Sequence, residues 1–337
     1  MKLLVTGGAG FIGSNFVRLA LRKRPEMEVV VLDKLTYAGN LENLAEVAND
    51  PRYRFIRGDI CHAKTVRGAM EGCDVVLNFA AETHVDRSIG DPGQFVTTDV
   101  YGAYVLLEAA KDLKVRRFVQ ISTDEVYGER LESAATEESS LMPRNPYAAS
   151  KAGGDRLAYS YWATYGVPVV ITRCSNNYGP NQYPEKLIPL FVTNAIDDQP
   201  LPVYGTGKNI RDWIHVYDHA EALDLIVHAE GGVNGEVFNV AAENALDVLT
   251  ITSRILSALG KPATLVRHVK DRQGHDRRYW LSSAKLRDLL GWKLRYTFET
   301  GVEETVAWYL ANESWWRKIK SGEFREYYRK QYAEIFS

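Results

Sequence analysis

The chain has 337 residues, 45% of them hydrophobic and 25% charged, enough to bury a substantial core and to build one large domain with a smaller partner. Its 41 basic and 43 acidic residues leave a formal net charge of -2, without the basic stripe that binding a phosphate backbone requires, so no nucleic-acid partner is expected. Cys61, Cys73 and Cys174 are odd in number and form no C-x-x-C pair, which argues against a disulfide framework or a structural zinc and for a reducing, cytoplasmic setting.

From the N-terminus, glycines at Gly7 and Gly8 interrupt any signal-peptide core, and no run of ~18 apolar residues follows, so neither export nor a membrane span is expected. Short β-branched runs at 2–5, 29–32, 53–57, 75–79, 118–122 and 169–173 alternate with helical patterns at 12–22, 63–70, 100–113 and 147–165. With right-handed crossovers, that alternation predicts an α/β fold built on a doubly wound parallel sheet of the Rossmann type. After Cys174 the pattern loosens. Asn176-Asn177-Tyr178-Gly179-Pro180, Pro184, Pro189, Pro200 and Gly205-Thr206-Gly207 punctuate the chain, as in loops that close over a ligand. The segment 298–332 is helical in pattern and carries Trp308, Trp315, Trp316, Tyr327, Tyr328 and Tyr332, which core packing or subunit contact explains better than chemistry.

Gly7-Gly8-Ala9-Gly10-Phe11-Ile12-Gly13 follows the first strand and opens the first helix, satisfying G-x-G-x-x-G. Glycines at this spacing permit the tight turn, let backbone N–H groups approach a pyrophosphate, and allow the helix to pack close to the sheet. Asp33, about 20 residues on at the end of the second strand, supplies a carboxylate for a ribose 2'-hydroxyl and repels a 2'-phosphate, favouring NAD over NADP, although Lys34 stands beside it. Asp59-Ile60 and Phe79-Ala80-Ala81, each at a predicted strand end, are where adenine and the nicotinamide ribose would rest.

Tyr147 and Lys151 are four apart on a helical stretch and project from one face, where an ammonium should favour the phenolate and lower its pKa. Tyr204 and Lys208 share that spacing but sit among turn glycines that cannot hold a helical face. Thr123-Asp124-Glu125 directly follows the strand 118–122, at the sheet edge where ligands bind. A Tyr and a Lys suffice to move one proton and one hydride; two adjacent carboxyl groups suggest that water is eliminated as well. The alternative, that these residues only cap a helix, is weakened by Val126-Tyr127-Gly128-Glu129-Arg130, a poor helix former. His84 lacks partners at metal-ligand spacing, so no metal site is expected.

Together these residues resemble the extended short-chain dehydrogenase/reductase superfamily and, more narrowly, its dTDP-glucose 4,6-dehydratases. The likeness runs through the glycine loop, Ala80-Ala81-Glu82-Thr83-His84-Val85-Asp86-Arg87-Ser88, Ser122-Thr123-Asp124-Glu125, Pro146-Tyr147-Ala148-Ala149-Ser150-Lys151, Asn176-Asn177-Tyr178-Gly179-Pro180, Glu185-Lys186-Leu187-Ile188-Pro189 and Arg211-Asp212-Trp213. It implies that Tyr147, supported by Lys151 and Thr123, deprotonates the glucose 4-hydroxyl as NAD takes the C4 hydride. Glu125 then removes the C5 proton, Asp124 protonates the departing 6-hydroxyl, and hydride returns to C6. That division needs Asp124 protonated and Glu125 ionised, which two neighbouring carboxyl groups in a dry cleft can sustain.

The resemblance further implies NAD contacts from Gly7, Gly10, Phe11, Ile12, Gly13, Asp33, Lys34, Leu35, Thr36, Asp59, Ile60, Phe79, Ala80, Ala81, Thr98, Tyr147, Lys151 and Asn177. Substrate contacts are implied from Thr83, Ser88, Asn176, Lys186, Leu187, Pro202, Tyr204, Arg211, Asn244, Arg272 and His275, the cations serving a nucleotide diphosphate. The chain departs from the family after Asn239, reading Val240-Ala241-Ala242 where relatives usually carry Ile-Gly-Gly. Residues 1–174 plus 212–240 are expected to form the NAD-binding domain, and 175–211 plus 241–337 a smaller α/β nucleotide-sugar domain with the C-terminal helices. A homodimer is expected through 100–113 and 147–165, since apolar residues circle the first of these more widely than one core-facing stripe requires. An epimerase and a catalytically silent NAD-binding protein are the competing readings.

Overall fold

Seven strands form one sheet: β1 (Lys2–Thr6), β2 (Glu28–Asp33), β3 (Tyr53–Arg57), β4 (Val75–Asn78), β5 (Arg117–Thr123), β6 (Val169–Cys174) and β7 (Val237–Val240). Their order is β7-β6-β5-β4-β1-β2-β3, and every neighbouring pair is parallel. The structure is a computed structural model and describes residues 1–271 and 274–333. Because helices cover both faces, β4, β5 and β6 are buried along their whole length, which is why they read as continuous apolar runs rather than alternating ones.

The period-2 geometry of the strands sorts their side chains into two cores. Leu3, Val5, Val29 and Val31 pack with Phe16 and Val17 of the helix Phe11–Lys23 and with Leu223 and Ile226 of the helix Val216–His228. Leu4, Val30, Leu32 and Val76 face the other way, onto Val66, Leu106, Leu107 and Ala158 of the helices Ala63–Met70, Ala103–Leu113 and Pro146–Tyr165. Each such side chain, fully buried, contributes about 1.5–3 kcal/mol.

The six strands expected from the sequence are present, with ends shifted by no more than a residue. β7 was expected only as a strand through Asn239, without bounds; it spans Val237–Val240. The helix expected over 100–113 starts earlier, as a π-helical turn over Val96–Gly102 that runs into Ala103–Leu113. The stretch after Cys174 is more regular than its prolines and glycines suggest. It contains the helix Leu187–Ile196, in which Pro189 occupies the first turn, where no intrahelical N–H bond is lost.

Beyond the sheet, Asn176–Tyr178 pairs with Trp213–His215, Leu201–Tyr204 with Val266–Val269, and Ile210–Arg211 with Leu246–Asp247. A third core gathers Phe191, Trp213, Ile251, Ile255, Phe298, Val306, Tyr309, Trp315 and Trp316. Its C-terminal part is three helices, Phe298–Ala311, Glu313–Ile319 and Glu323–Gln331. They are tied inward by Trp315 Nε1, which donates to Asn43 Oδ1 at 3.0 Å, and by Tyr309, whose hydroxyl donates to the Gln182 carbonyl at 2.5 Å. Among the described residues no helix is long and apolar enough to cross a membrane.

Candidate active site

The carboxyl ends of β1 to β6 open onto one cleft, lined by Gly7, Asp33, Gly58, Phe79 and Ala80, Ser122 to Asp124, and Cys174 with Ser175. In an open parallel sheet this edge is where successive βα connections diverge and leave room for a ligand. Gly7, Gly10, Phe11, Ile12 and Gly13 form its floor. Gly7 has φ +67°, and a Cβ there would stand 2.6 Å from Ala80 N; a Cβ on Gly13 would stand 2.5 Å from the Gly7 carbonyl oxygen. Only glycine lets loop and helix approach so closely, and Gly10 leaves the first turn of Phe11–Lys23 without a side-chain cap.

The expected cofactor residues Asp33, Lys34, Thr36, Asp59, Ile60, Phe79, Ala80, Ala81, Thr98 and Asn177 also line the cleft. Asp33 accepts N–H bonds from Ala9 (2.9 Å) and Leu35 (2.8 Å), which oppose the upward push of burial on its pKa and leave lone pairs on both oxygens. Lys34 Nζ pairs with Asp59 Oδ2 at 2.8 Å. Leu35 is not part of the lining and acts through its backbone. Ser122 Oγ, Asn176 Oδ1 and Gln182 Oε1 are buried in residues of the lining, with no hydrogen-bond partner among the described residues. An uncapped helix start, a ribose-matched carboxylate and orphaned polar atoms fit a bound dinucleotide.

Thr123, Asp124, Glu125, Tyr147 and Lys151 converge on the same cleft. The acid pair is held by a 3-10 turn over Asp124–Tyr127, which the local sequence did not suggest; its origin is tertiary. Val126 and Tyr127 are buried, and the Tyr127 hydroxyl donates to Asn239 Oδ1 (2.8 Å) while accepting from Arg173 Nη1 (2.7 Å). Arg173 is in turn fixed by Asp155 at 2.8 and 3.0 Å. Thr123 does cap this turn, accepting from Glu125 N at 3.3 Å, and its hydroxyl also donates to Asp124 Oδ1 at 3.1 Å. Capping is therefore compatible with the expected chemistry in the same three residues.

Asp124 is buried, with Oδ2 unpartnered among the described residues. Burial and then the Glu125 charge push its pKa well up, against the Thr123 bond and the Arg211 charge, which favours the protonated acid. Glu125 Oε2 accepts from Asn145 Nδ2 at 3.2 Å and from the Tyr279 hydroxyl at 3.3 Å. The expectation for Tyr147 is overturned: burial, Glu125 and Asp99 raise its phenol, while Lys151 Nζ donates to the Ile121 carbonyl at 2.7 Å and Thr123 alone pulls the pKa down. Spacing on a helix set the common face but not what the ammonium touches.

Of the residues expected to contact substrate, Thr83, Asn176 and Lys186 line the cleft, and Lys186 Nζ donates to Thr83 Oγ1 at 3.0 Å. Ser88, Leu187, Pro202, Tyr204, Arg211, Asn244 and His275 lie outside the lining, and Arg272 falls outside the described residues. Ser88 Oγ donates to the Val85 carbonyl, and Leu187 packs against the third core. Pro202 and Tyr204 belong to the strand Leu201–Tyr204; Tyr204 accepts from Gln331 Nε2 at 2.8 Å. Asn244 holds the Trp213 backbone through both amide atoms, and His275 Nδ1 stands 2.7 Å from Asp271 Oδ1. Arg211 covers the Tyr279 ring at 4.2 Å and so reaches Glu125 through that tyrosine.

Sequence reasoning missed Tyr279, 154 positions from Glu125, for which no local signal exists. It also missed Asn145, recognisable as a helix cap before Pro146 but not as a donor to Glu125. A third omission is the rim built by Glu185, which accepts from Tyr37 (2.8 Å) and Arg87 (3.0 Å) beside Lys186. Cys174 was counted for redox setting alone; it faces the cleft opposite Thr123 in the β5–β6 register, with its thiol pushed up to about 12 by burial.

Residues 4–305 match the family model described as GDP-mannose 4,6 dehydratase. A dTDP-glucose 4,6-dehydratase of Streptomyces niveus is 52% identical over 325 residues, 95% of this chain and 96% of the relative. The chain belongs to the dTDP-glucose 4,6-dehydratase family. Among solved structures, the family member DesIV of Streptomyces venezuelae, crystallised with NAD bound, superposes with a TM-score of 0.92 at 49% identity, covering 95% of this chain and 100% of that one. The NAD complex of a Thermus thermophilus UDP-glucose 4-epimerase reaches 0.85 at 31% identity, covering 93% and 100%. The fold is thus shared with epimerases, and the distinction between dehydratase and epimerase rests on the site.

Proposed function

We propose that this chain converts dTDP-glucose to dTDP-4-keto-6-deoxyglucose and water in an NAD-dependent 4,6-dehydration. The observation that carries the reading is a buried Asp124, its pKa pushed well up, beside Glu125 in the cleft that also holds Tyr147 and Lys151. NAD, held along Gly7 to Gly13 and at Asp33, supplies a reversible hydride acceptor for C4. Tyr147 would take the proton of the 4-hydroxyl as a phenolate, with the Thr123 bond and the positive charge of oxidised NAD offsetting the burial that raises its pKa, and Lys151 in the same cleft. Once C4 is a ketone the C5 proton is acidic; Glu125 removes it, and Asp124 protonates the 6-hydroxyl so that it leaves as water. Return of the stored hydride to C6 and of a proton to C5 would complete the 4-keto-6-deoxy sugar and leave the nicotinamide oxidised as it began. Asn145 and Tyr279 hold Glu125 in place, and Lys186, Asn176 and Thr83 face the hexosyl diphosphate.

In this reading 1–174 with 212–240 carries the cofactor and 175–211 with 241–337 the nucleotide sugar. The purified chain given dTDP-glucose should yield the 4-keto-6-deoxy sugar by proton NMR without net build-up of reduced nicotinamide. Unchanged substrate, or recovery of the C4-inverted hexose alone, rejects the proposal. The exposed Val96, Tyr101, Tyr104, Tyr159 and Tyr165, on or beside the paired helices Ala103–Leu113 and Pro146–Tyr165, support a homodimer, which a monomeric mass in sedimentation would contradict.

A further inference from the structure

A second concavity lies between the loop after Leu187–Ile196 and the helices Glu313–Ile319 and Glu323–Gln331, sharing no lining residue with the catalytic cleft. Its described lining carries four cations, Arg317, Lys320, Arg325 and Arg329, and one acid, Asp197. Arg317 is already neutralised by Asp197 and Glu313, each at 2.8 Å. The other three cations have no carboxylate at ion-pair distance among the described residues.

Lys320 is largely buried, and its ammonium donates only to neutral oxygens, Asn194 Oδ1 at 2.8 Å and Thr193 Oγ1 at 3.2 Å. Burial, with the Arg317 charge, lowers its pKa to about 8, against the Asp197 charge. Arg325 and Arg329 are four apart on one helix, exposed, and make no side-chain hydrogen bond or ion pair among the described residues.

We propose that this concavity is a second ligand site, taking the phosphate group of a phosphate-bearing small molecule. Two exposed guanidinium forks match the geometry of phosphate oxygens, and the partly buried Lys320 ammonium, with no carboxylate at ion-pair distance among the described residues, supplies the third positive group. Concave placement focuses the field of these cations on one point. The helix that carries both arginines also carries Tyr327, whose ring lies under the Arg87 guanidinium at 4.5 Å, and Arg87 binds Glu185 on the rim of the cleft. A ligand gripping Arg325 and Arg329 therefore grips the element that touches that rim.

The test is calorimetric titration of inorganic pyrophosphate into the full chain carrying NAD, with a single equivalent of dTDP to fill the cleft and none left over. One pyrophosphate per chain is expected. The Arg325→Ala/Arg329→Ala double variant should weaken binding at least tenfold while keeping wild-type dTDP-glucose turnover, and Lys320→Gln should weaken it independently. Absence of binding to the wild-type chain, or equal affinity in the double variant, overturns the proposal. A failure of the dehydratase reading appears instead as lost turnover and leaves the loss of binding in the double variant unaffected.

Discussion

Replacing Glu125 by Gln separates proton transfer from every other property of the site. The side chain is anchored through Oε2 alone, by Asn145 Nδ2 at 3.2 Å and Tyr279 OH at 3.3 Å, and a glutamine carbonyl can accept both bonds. The variant therefore keeps its shape and loses basicity and charge. Losing a general base costs roughly 100- to 10,000-fold, or about 3–5 kcal/mol on the elimination barrier, whereas C4 oxidation through Tyr147 should survive. The lost charge has a sign too. After burial, Glu125 is the largest cause holding up both the Asp124 carboxyl and the Tyr147 phenol. Without it both groups ionise at lower pH, so the pH profile of the oxidation step moves toward acid. Stopped-flow absorbance with dTDP-glucose should show reduced nicotinamide appearing and persisting on the variant while product formation collapses. Wild-type turnover, equal loss of oxidation and elimination, or an alkaline shift of the oxidation profile would refute the assignment.

Two further outcomes follow from the supports behind the site. Asp155→Ala leaves the guanidinium of Arg173 buried without its carboxylate, at a cost of about 3–5 kcal/mol, and loosens the Tyr127 anchor of the acid turn. Urea unfolding should register that loss alongside reduced turnover, and a change below about 1 kcal/mol would contradict it. Asp99, which accepts from Ser150 Oγ (2.7 Å) and Glu82 N (3.0 Å), is pushed by burial from 3.8 to about 6, against the Lys151 charge. Between those values the folded chain keeps a proton that the unfolded chain has released, so stability falls as pH rises through the window, by a few kcal/mol. Asp99→Asn should flatten that part of the stability–pH curve; an unchanged slope would count against the buried-acid account.

The features legible in the sequence are those encoded by neighbours along the chain. Apolar runs, buried on both faces in all but the partly exposed β3, announce β1 to β6, the glycines from Gly7 to Gly13 announce a phosphate-tolerant turn, and Thr123-Asp124-Glu125 with Tyr147 and Lys151 announce the proposed reacting groups. Spacing of two or four residues settles which face a side chain takes, because backbone geometry is local. Where sequence reasoning stopped short, the missing information was long-range. The helix Leu187–Ile196 and the bounds of β7 are set by the third core and the sheet that cover them.

Ionisation belongs to the same long-range class. The upward push on the Asp124 carboxyl comes from burial and then from the Glu125 charge, against the Arg211 charge, and the Tyr147 phenol rises through burial, Glu125 and Asp99. The identity of the reacting groups was set by the order of amino acids. Their protonation, and the grip of Tyr279 and Asn145 on Glu125, were decided by the tertiary structure, since the cost of a charge depends on how much water and which distant dipoles surround it.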